Sequence, residues 1–300
     1  AGFVGYHLAK KILQGVDNQV VLVDNFRRGR RDKELSMLLD EDRVQLIEGD
    51  LSSQKVINEL PEANVVFHLA AMVGVQHVVR APAEVLKINA LATFNCLEYA
   101  RRLSNCERFV FSSTSEVYAG TLEQYGMDIP TPETTPIVFG GLNKPRLTYA
   151  LSKVMGEAAV LMETASNDLP TTIIRYHNIY GPRMGFSHVV PEMIRKCSLE
   201  TRVEVASPDH TRAFCFIDDA VEATLALSEK PEAVGETFNV GNSLEEIKIW
   251  ELARKIRKIC GTEVEMKRGN VTPGSPERRC PDISKLSQCT GFVPVVGLHQ

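Results

Sequence analysis

Through the first 180 residues, short runs of consecutive apolar residues alternate with stretches in which apolar positions recur every three or four. Residues 19–24, 44–48, 64–71, 108–112 and 171–176 are of the first kind, rich in Val, Ile, Leu and Phe, and read as strands buried on both faces. Val4, Leu8 and Ile12, and the stretch 90–102, are of the second kind and read as helices. Strand and helix in alternation predict an α/β fold, a doubly wound parallel sheet covered on both sides. Beyond residue 180 the pattern is more mixed, with helical spacing over 219–227 and 247–259 and loops expected at 207–212 and 269–281. Two units are therefore expected: residues 1–180 as the sheet domain, and 181–300 as a smaller mixed substrate-binding lobe, partly threaded back onto it.

Gly2 and Gly5 open the first helix and match the last two glycines of G-x-x-G-x-x-G. The first glycine and its preceding strand are absent, so the chain is expected to be a fragment. In such a motif glycines let the backbone, here with Phe3 and Val4 between them, approach a pyrophosphate at the helix N-terminus. Asp24 ends a strand nineteen residues after Gly5, where an acid accepts hydrogen bonds from the adenosine ribose hydroxyls. That carboxylate would repel a 2′-phosphate, so NAD is expected rather than NADP, and Arg27, Arg28, Arg30 and Arg31 are read as a solvated loop. Asp50, after the next strand, can meet the adenine amino group or simply make a turn. Leu69-Ala70-Ala71 brings small side chains to a place where a dinucleotide can lie close to backbone.

The strand at 108–112 delivers Thr114 and Glu116 just beyond its end, and ligands of open α/β sheets sit outside the carboxyl ends of strands. Tyr149 and Lys153 lie one helical turn apart, so a cation can favour the phenolate that a general base requires. Tyr6 and Lys10 repeat the spacing inside the glycine-motif helix. The bland alternative for the second stretch is a Ser/Thr-rich turn beside a surface helix. Arg183, Arg212, Arg278 and Arg279 can clamp a diphosphate with their guanidinium forks, although each alone reads as a surface charge.

Composition narrows the classes. An apolar content of 44% and a net charge of -4 describe an ordinary globular chain without a nucleic-acid footprint. No apolar run approaches the about 20 residues of a membrane helix. Seven scattered cysteines without a C-x-x-C argue against a disulfide framework or a zinc site and for free thiols in a reducing cytoplasm. No metal site is expected.

Taken in order, Gly2-x-x-Gly5, Val23-Asp24-Asn25, Gly49-Asp50-Leu51, His68-Leu69-Ala70-Ala71, Ser113 to Tyr118, Tyr149-x-x-x-Lys153, Arg175 to Arg183 and Arg212 to Asp219 resemble the extended short-chain dehydrogenase/reductases that modify nucleotide sugars. The likeness spans essentially the whole chain. It implies a Rossmann domain with a substrate lobe, bound NAD, a nucleotide-diphosphate sugar as substrate, with UDP favoured, and a homodimer. It makes Tyr149 the catalytic base, Lys153 the nicotinamide-ribose contact and Thr114 the hydroxyl sharing the sugar oxygen. Asp24, Asn25, Asp50 and Leu51 would bind adenosine, and Arg80 the cofactor diphosphate. Asn178, Val190, Arg212 and Arg279 would meet the sugar nucleotide.

Glu116 sets the branch. Simple 4-epimerases of this family usually lack a carboxylate there, whereas UDP-glucuronate decarboxylases and GDP-mannose dehydratases carry one. Hexose 4,6-dehydratases commonly place Asp where this chain has Ser115, and the stretch Asn143 to Tyr149 resembles the loop before the catalytic tyrosine in a bacterial UDP-glucuronate decarboxylase. The decarboxylase-like reading is therefore favoured, with 4-epimerase and 4,6-dehydratase as alternatives. A non-catalytic NAD-binding sensor, the alternative of another class, would normally erode the Tyr149/Lys153 pair.

Overall fold

The computed structural model describes residues 1–299, apart from the side chains of residues 75–77 and 146. In chain order the helices are α1 (Phe3–Ile12), α2 (Lys33–Leu39), α3 (Gln54–Asn58), α4 (Val75–Arg80), α5 (Pro82–Arg102), α6 (Ala119–Tyr125), α7 (Thr148–Asn167), α8 (Val189–Leu199), α9 (Ile217–Glu229), α10 (Ile249–Cys260) and α11 (Ser284–Thr290). The strands are β1 (Val20–Asp24), β2 (Val44–Glu48), β3 (Val65–His68), β4 (Arg108–Thr114), β5 (Thr171–Tyr176), β6 (Ile179–Tyr180), β7 (Arg202–Val205), β8 (Thr211–Ala213), β9 (Cys215–Phe216), β10 (Glu236–Val240), β11 (Glu246–Lys248), β12 (Glu265–Arg268) and β13 (Arg278–Arg279).

The parallel sheet is built in two hydrogen-bonded parts, β1-β2 and β10-β5-β4-β3. Alternation along β4 shows why both faces are covered. Val110 points with Ile174, Phe238 and Val240 into a cluster closed by Leu8 of α1 and Val221 and Leu227 of α9. Phe109 and Phe111 point the other way, with Ile173, into a cluster closed by Cys96, Leu97 and Ala100 of α5 and Val160 of α7. Each such side chain stabilises by about 1.5–3 kcal/mol when fully buried, which pins the register of the central strands.

The expected doubly wound sheet is present. β4 runs two residues further than its apolar run, so Thr114 is the last strand residue rather than a loop residue. Within residues 181–300, α9, β10 and α11 pack with the first layer, while α8, α10 and β7 enclose a separate core around Met193, Val203, Leu252 and Ile256. Both expected loops contain short strands. β8 pairs antiparallel with β11 and parallel with β13, placing Arg279 opposite Arg212. Strands of two or three mixed residues have no period to read, because long-range pairing makes them.

α7 crosses β4 so closely that a Cβ on Gly156 would fall 2.4 Å from Phe111 Cζ. Gly156→Ala should therefore overpack this contact at about 1–3 kcal/mol, read as a lower thermal midpoint. An unchanged midpoint would show that α7 can lift from β4 freely.

Candidate active site

β4 ends in an extended Thr114, φ -155°, whose Oγ1 accepts from Glu116 N at 3.3 Å and caps the 3-10 turn Ser115–Tyr118. The turn buries Val117 and Tyr118 and leaves Glu116 partly exposed, ion-paired to Arg279 Nη1 at 2.8 Å. Across the strand end, α7 brings Tyr149 within hydrogen-bonding reach of the Thr114 hydroxyl. Ser152 Oγ donates to Tyr149 O at 2.7 Å and accepts from Asn89 Nδ2 at 3.0 Å, while Asn89 Oδ1 accepts from Met72 N at 2.7 Å. The helix that carries the phenol is thus tied to α5 and to the chain leaving β3.

Lys153 lies differently from expectation. Its buried Nζ donates to Ser112 O at 2.7 Å and stands 4.9 Å from the Phe111 ring centroid and 5.9 Å from that of Tyr149. Burial pushes the Tyr149 phenol well above its ordinary 10, and the Glu116 charge pushes it further, against Arg28 and the Thr114 hydrogen bond. A helical turn of spacing delivers the two groups to one face, but the ammonium turns toward a strand carbonyl. Burial also lowers Lys153 to about 8, with Glu157 opposing. Tyr6 is buried beneath the Arg183 guanidinium at 4.0 Å and Lys10 is exposed, so that pair is structural.

The cofactor candidates gather at the carboxyl ends of β1, β2 and β3. Gly2 caps α1 without a side-chain hydrogen bond, and a Cβ on it would meet nothing within 4 Å, so the helix N-terminus is open to an anion. Phe3 and Val4 pack back onto the core, and a Cβ on Gly5 would lie 3.7 Å from Leu69 Cδ1. Asp24 Oδ1 accepts from Phe26 N at 2.8 Å, and Oδ2 lies 3.2 Å from the amine of Ala1. Asp50 accepts from Asn25 Nδ2 and from Ser52, and Leu51 O from Asn95. Ala70 and Ala71 follow β3, and Arg80 is exposed at the end of α4. An uncapped glycine turn with an acid at the neighbouring strand end fits a dinucleotide. Three of the four loop arginines turn from Asp24: Arg27 to Asp50 and Glu84, Arg31 to Glu48 and Phe26, Arg30 to Phe186. They are partnered rather than merely solvated, and none of the three contacts assembles a phosphate site at Asp24.

On the substrate side, Asn178 is left-handed, φ 43°, and its Nδ2 donates to Ala213 O at 3.0 Å. Val190 packs on the lobe core. Arg212 donates to Thr211 O, Ser275 Oγ and Pro276 O, and burial with Arg279 alongside lowers it to about 10. Only Arg212 and Arg279 of the four arginines come together; Arg183 forks onto Asp32 and Arg278 onto Glu246. Sequence reading missed the buried polar floor: Arg175 forks onto Glu157, Ser113 bonds Glu157, and Tyr118 and His177 both reach Asn239 Oδ1. A charged residue inside each of two apolar stretches, Arg175 and Glu157, was the available signal.

A family model, NAD dependent epimerase/dehydratase family, matches residues 1–241. The chain belongs to this family. A UDP-N-acetyl-alpha-D-glucosaminuronate decarboxylase of Bacillus cytotoxicus is 32% identical over 313 residues, covering 100% of this chain and 92% of that protein. UDP-glucuronic acid decarboxylase 6 of Arabidopsis thaliana is 30% identical, covering 100% and 84%. The UDP-glucuronic acid 4-epimerase of Bacillus cereus, solved with UDP-glucuronic acid and NAD, superposes with a TM-score of 0.85 at 26% identity, covering 99% and 93%. As a member of the NAD dependent epimerase/dehydratase family, the protein is an NAD-using enzyme with the expected Rossmann-type fold.

A lysine whose folded pKa is about 8 against an ordinary 10.5 binds fewer protons folded than unfolded between those values. The Lys153 contribution to stability should therefore rise with pH through that window, the burial penalty being fully present below about pH 8. In the cofactor-free protein the urea midpoint of the wild type should gain on that of Lys153→Met across this window. Equal slopes in the two proteins would contradict the assignment.

Proposed function

We propose that this family member oxidises a UDP-sugar transiently at C4 and is UDP-glucuronate decarboxylase-like. The observation that carries the reading is the Glu116–Arg279 ion pair beside Thr114 and Tyr149, a carboxylate and a guanidinium set where oxidation at C4 alone requires neither. The two decarboxylase relatives matched along the whole chain support the same branch. When bound, NAD accepts the C4 hydride and later returns it.

Tyr149 takes the proton of the 4-hydroxyl while the Thr114 hydroxyl shares the same oxygen. The C4 ketone so formed draws electrons from the adjacent C5–carboxylate bond. That bond breaks, carbon dioxide leaves with the pair remaining on the C4–C5 unit, C5 takes a proton from water beside Glu116 and Arg279, and Tyr149 returns its proton to the C4 oxygen as the hydride comes back. Lys153, with Asp24, Asn25, Asp50, Leu51, Arg80, the Gly2–Gly5 turn and the chain at Leu69 to Ala71, holds the cofactor. Asn178, Val190 and Arg212 hold the nucleotide end.

UDP-glucuronate and other UDP-, GDP- and dTDP-sugars incubated with full-length enzyme, with products followed by NMR, test the substrate. Release of carbon dioxide from UDP-glucuronate is the expected result; epimerised UDP-sugar alone would favour the 4-epimerase. Tyr149→Phe should abolish turnover, a loss on the order of 10²–10⁴-fold for a general base. Glu116→Gln should spare the first oxidation, visible as NADH absorbance in a single turnover, and suppress the later step. An unchanged overall rate in Glu116→Gln would sink the decarboxylase reading.

The proposal extends to assembly and place. α5 and α7 lie side by side on the sheet and leave Leu91, Phe94, Met155 and Met162 exposed on their outer faces, a patch suited to a second copy. Seven free thiols suit a reducing cytoplasm. Phe94→Glu with Met162→Glu should convert a dimer to monomers in sedimentation; a protein that is monomeric before substitution disproves the interface.

A further inference from the structure

The chain leaves the sheet for the substrate lobe at Gly181, and the residues that follow are fastened to the cofactor half rather than to the lobe they enter. Gly181 has φ 157°, and a Cβ there would fall 2.4 Å from Ile217 Cγ2, so the chain passes only as glycine. Pro182 O then meets His7 Nε2 of α1 at 3.0 Å. Arg183 adopts a left-handed φ of 66°, a backbone state that bulky residues hold only when surroundings impose it.

What imposes it is the guanidinium. It lies 4.0 Å over the Tyr6 ring of α1 and forks onto Asp32, Nε to Oδ2 at 3.0 Å and Nη2 to Oδ1 at 2.9 Å, with only 9% of the side chain exposed. Asp32 in turn caps α2, accepting from Leu35 N at 2.9 Å. A second contact joins the same two loops, Arg30 over the Phe186 ring at 5.8 Å. Residues 182–186 thus close onto α1 and onto the loop that follows Asp24, the two segments that hold the cofactor in the proposed function.

We propose that Arg183 is a positioning residue that bolts residues 184–188, which lead to Val190 of the proposed nucleotide site, to the NAD half, so that NAD and the UDP-sugar bind cooperatively. The inference rests on the proposed function for the identity of the second ligand. A ligand that orders residues 24–32 also orders Asp32, hence Arg183 and the loop behind it, and the ordering done by one ligand need not be repeated by the other. Such coupling is reciprocal.

Hydrogen exchange of the full-length protein tests the bolt without any sugar. NADH added alone should slow amide exchange across residues 182–187 by about tenfold in the wild type, and by less than about twofold in Arg183→Gln and Asp32→Asn. Asp32→Asn keeps an α2 cap while removing the charge, so loss of protection there is loss of the fork and not of the helix. Arg183→Lys, which keeps the cation but not the fork, should fall between. A double variant should be no worse than Arg183→Gln alone. UDP should tighten NADH in fluorescence titration in the wild type and lose that effect in the variants. Unprotected residues 182–187 in the wild type, or equal protection in the variants, overturn the proposal. A wild type that shows the protection but turns over no UDP-sugar leaves the bolt standing and removes the proposed function instead.

Discussion

The site depends on a charge pair buried beneath it. Arg175, near the end of β5, and Glu157, in the middle of α7, each have side chains 6% exposed and share two hydrogen bonds, 2.9 and 2.6 Å. Taking two charges from water costs several kcal/mol per ion unless geometry and further hydrogen bonds repay it. Here they do: Glu157 also accepts from Ser113 of β4, and Arg175 Nη1 donates to Tyr118 Oη at 2.7 Å and to Glu133 O. Tyr149, Lys153 and Glu157 stand at i, i+4 and i+8, on one face of α7. Holding Glu157 therefore sets the rotation of the helix and the direction of the phenol. Holding Tyr118 sets the 3-10 turn, which leaves Glu116 on the cleft side.

The same network tells the protonation state of His177. Asn239 Nδ2 donates to Thr131 O and Asp282 O, so its Oδ1 is the acceptor for both Tyr118 and His177 Nε2. Nε2 then carries the hydrogen, and burial, which lowers this histidine to about 3, keeps the ring neutral. A neutral ring suits a floor already holding Arg175, with Arg279 close enough to lower the histidine further.

Most of the parallel sheet was legible because its strands are local: residues 171–176 form β5 without a shift, and 44–48 form β2. Thr114, Glu116 and Tyr149 were legible because one motif carries each and the sheet edge collects them. The orientation of Lys153 was not, because spacing along a helix fixes a face and not the partner a flexible side chain selects. The partners of Arg183 and Arg278 were also hidden. These rest on contacts 151 and 32 residues apart in the chain, set by tertiary packing alone.

Arg279 shows how the two halves of the chain make one site. It comes from a two-residue strand laddered with β8, yet it reaches Glu116, 163 residues earlier, on the turn that β4 launches. Burial and, after it, the Glu116 charge raise the Tyr149 phenol even with Arg279 paired to Glu116, the wrong direction for a base. A guanidinium paired to Glu116 offsets part of that negative charge, which in the proposed function lets a carboxylate stand near the base. The second half of the chain thus supplies a charge to a turn set by the first, so the position of Glu116 depends on the seating of β13.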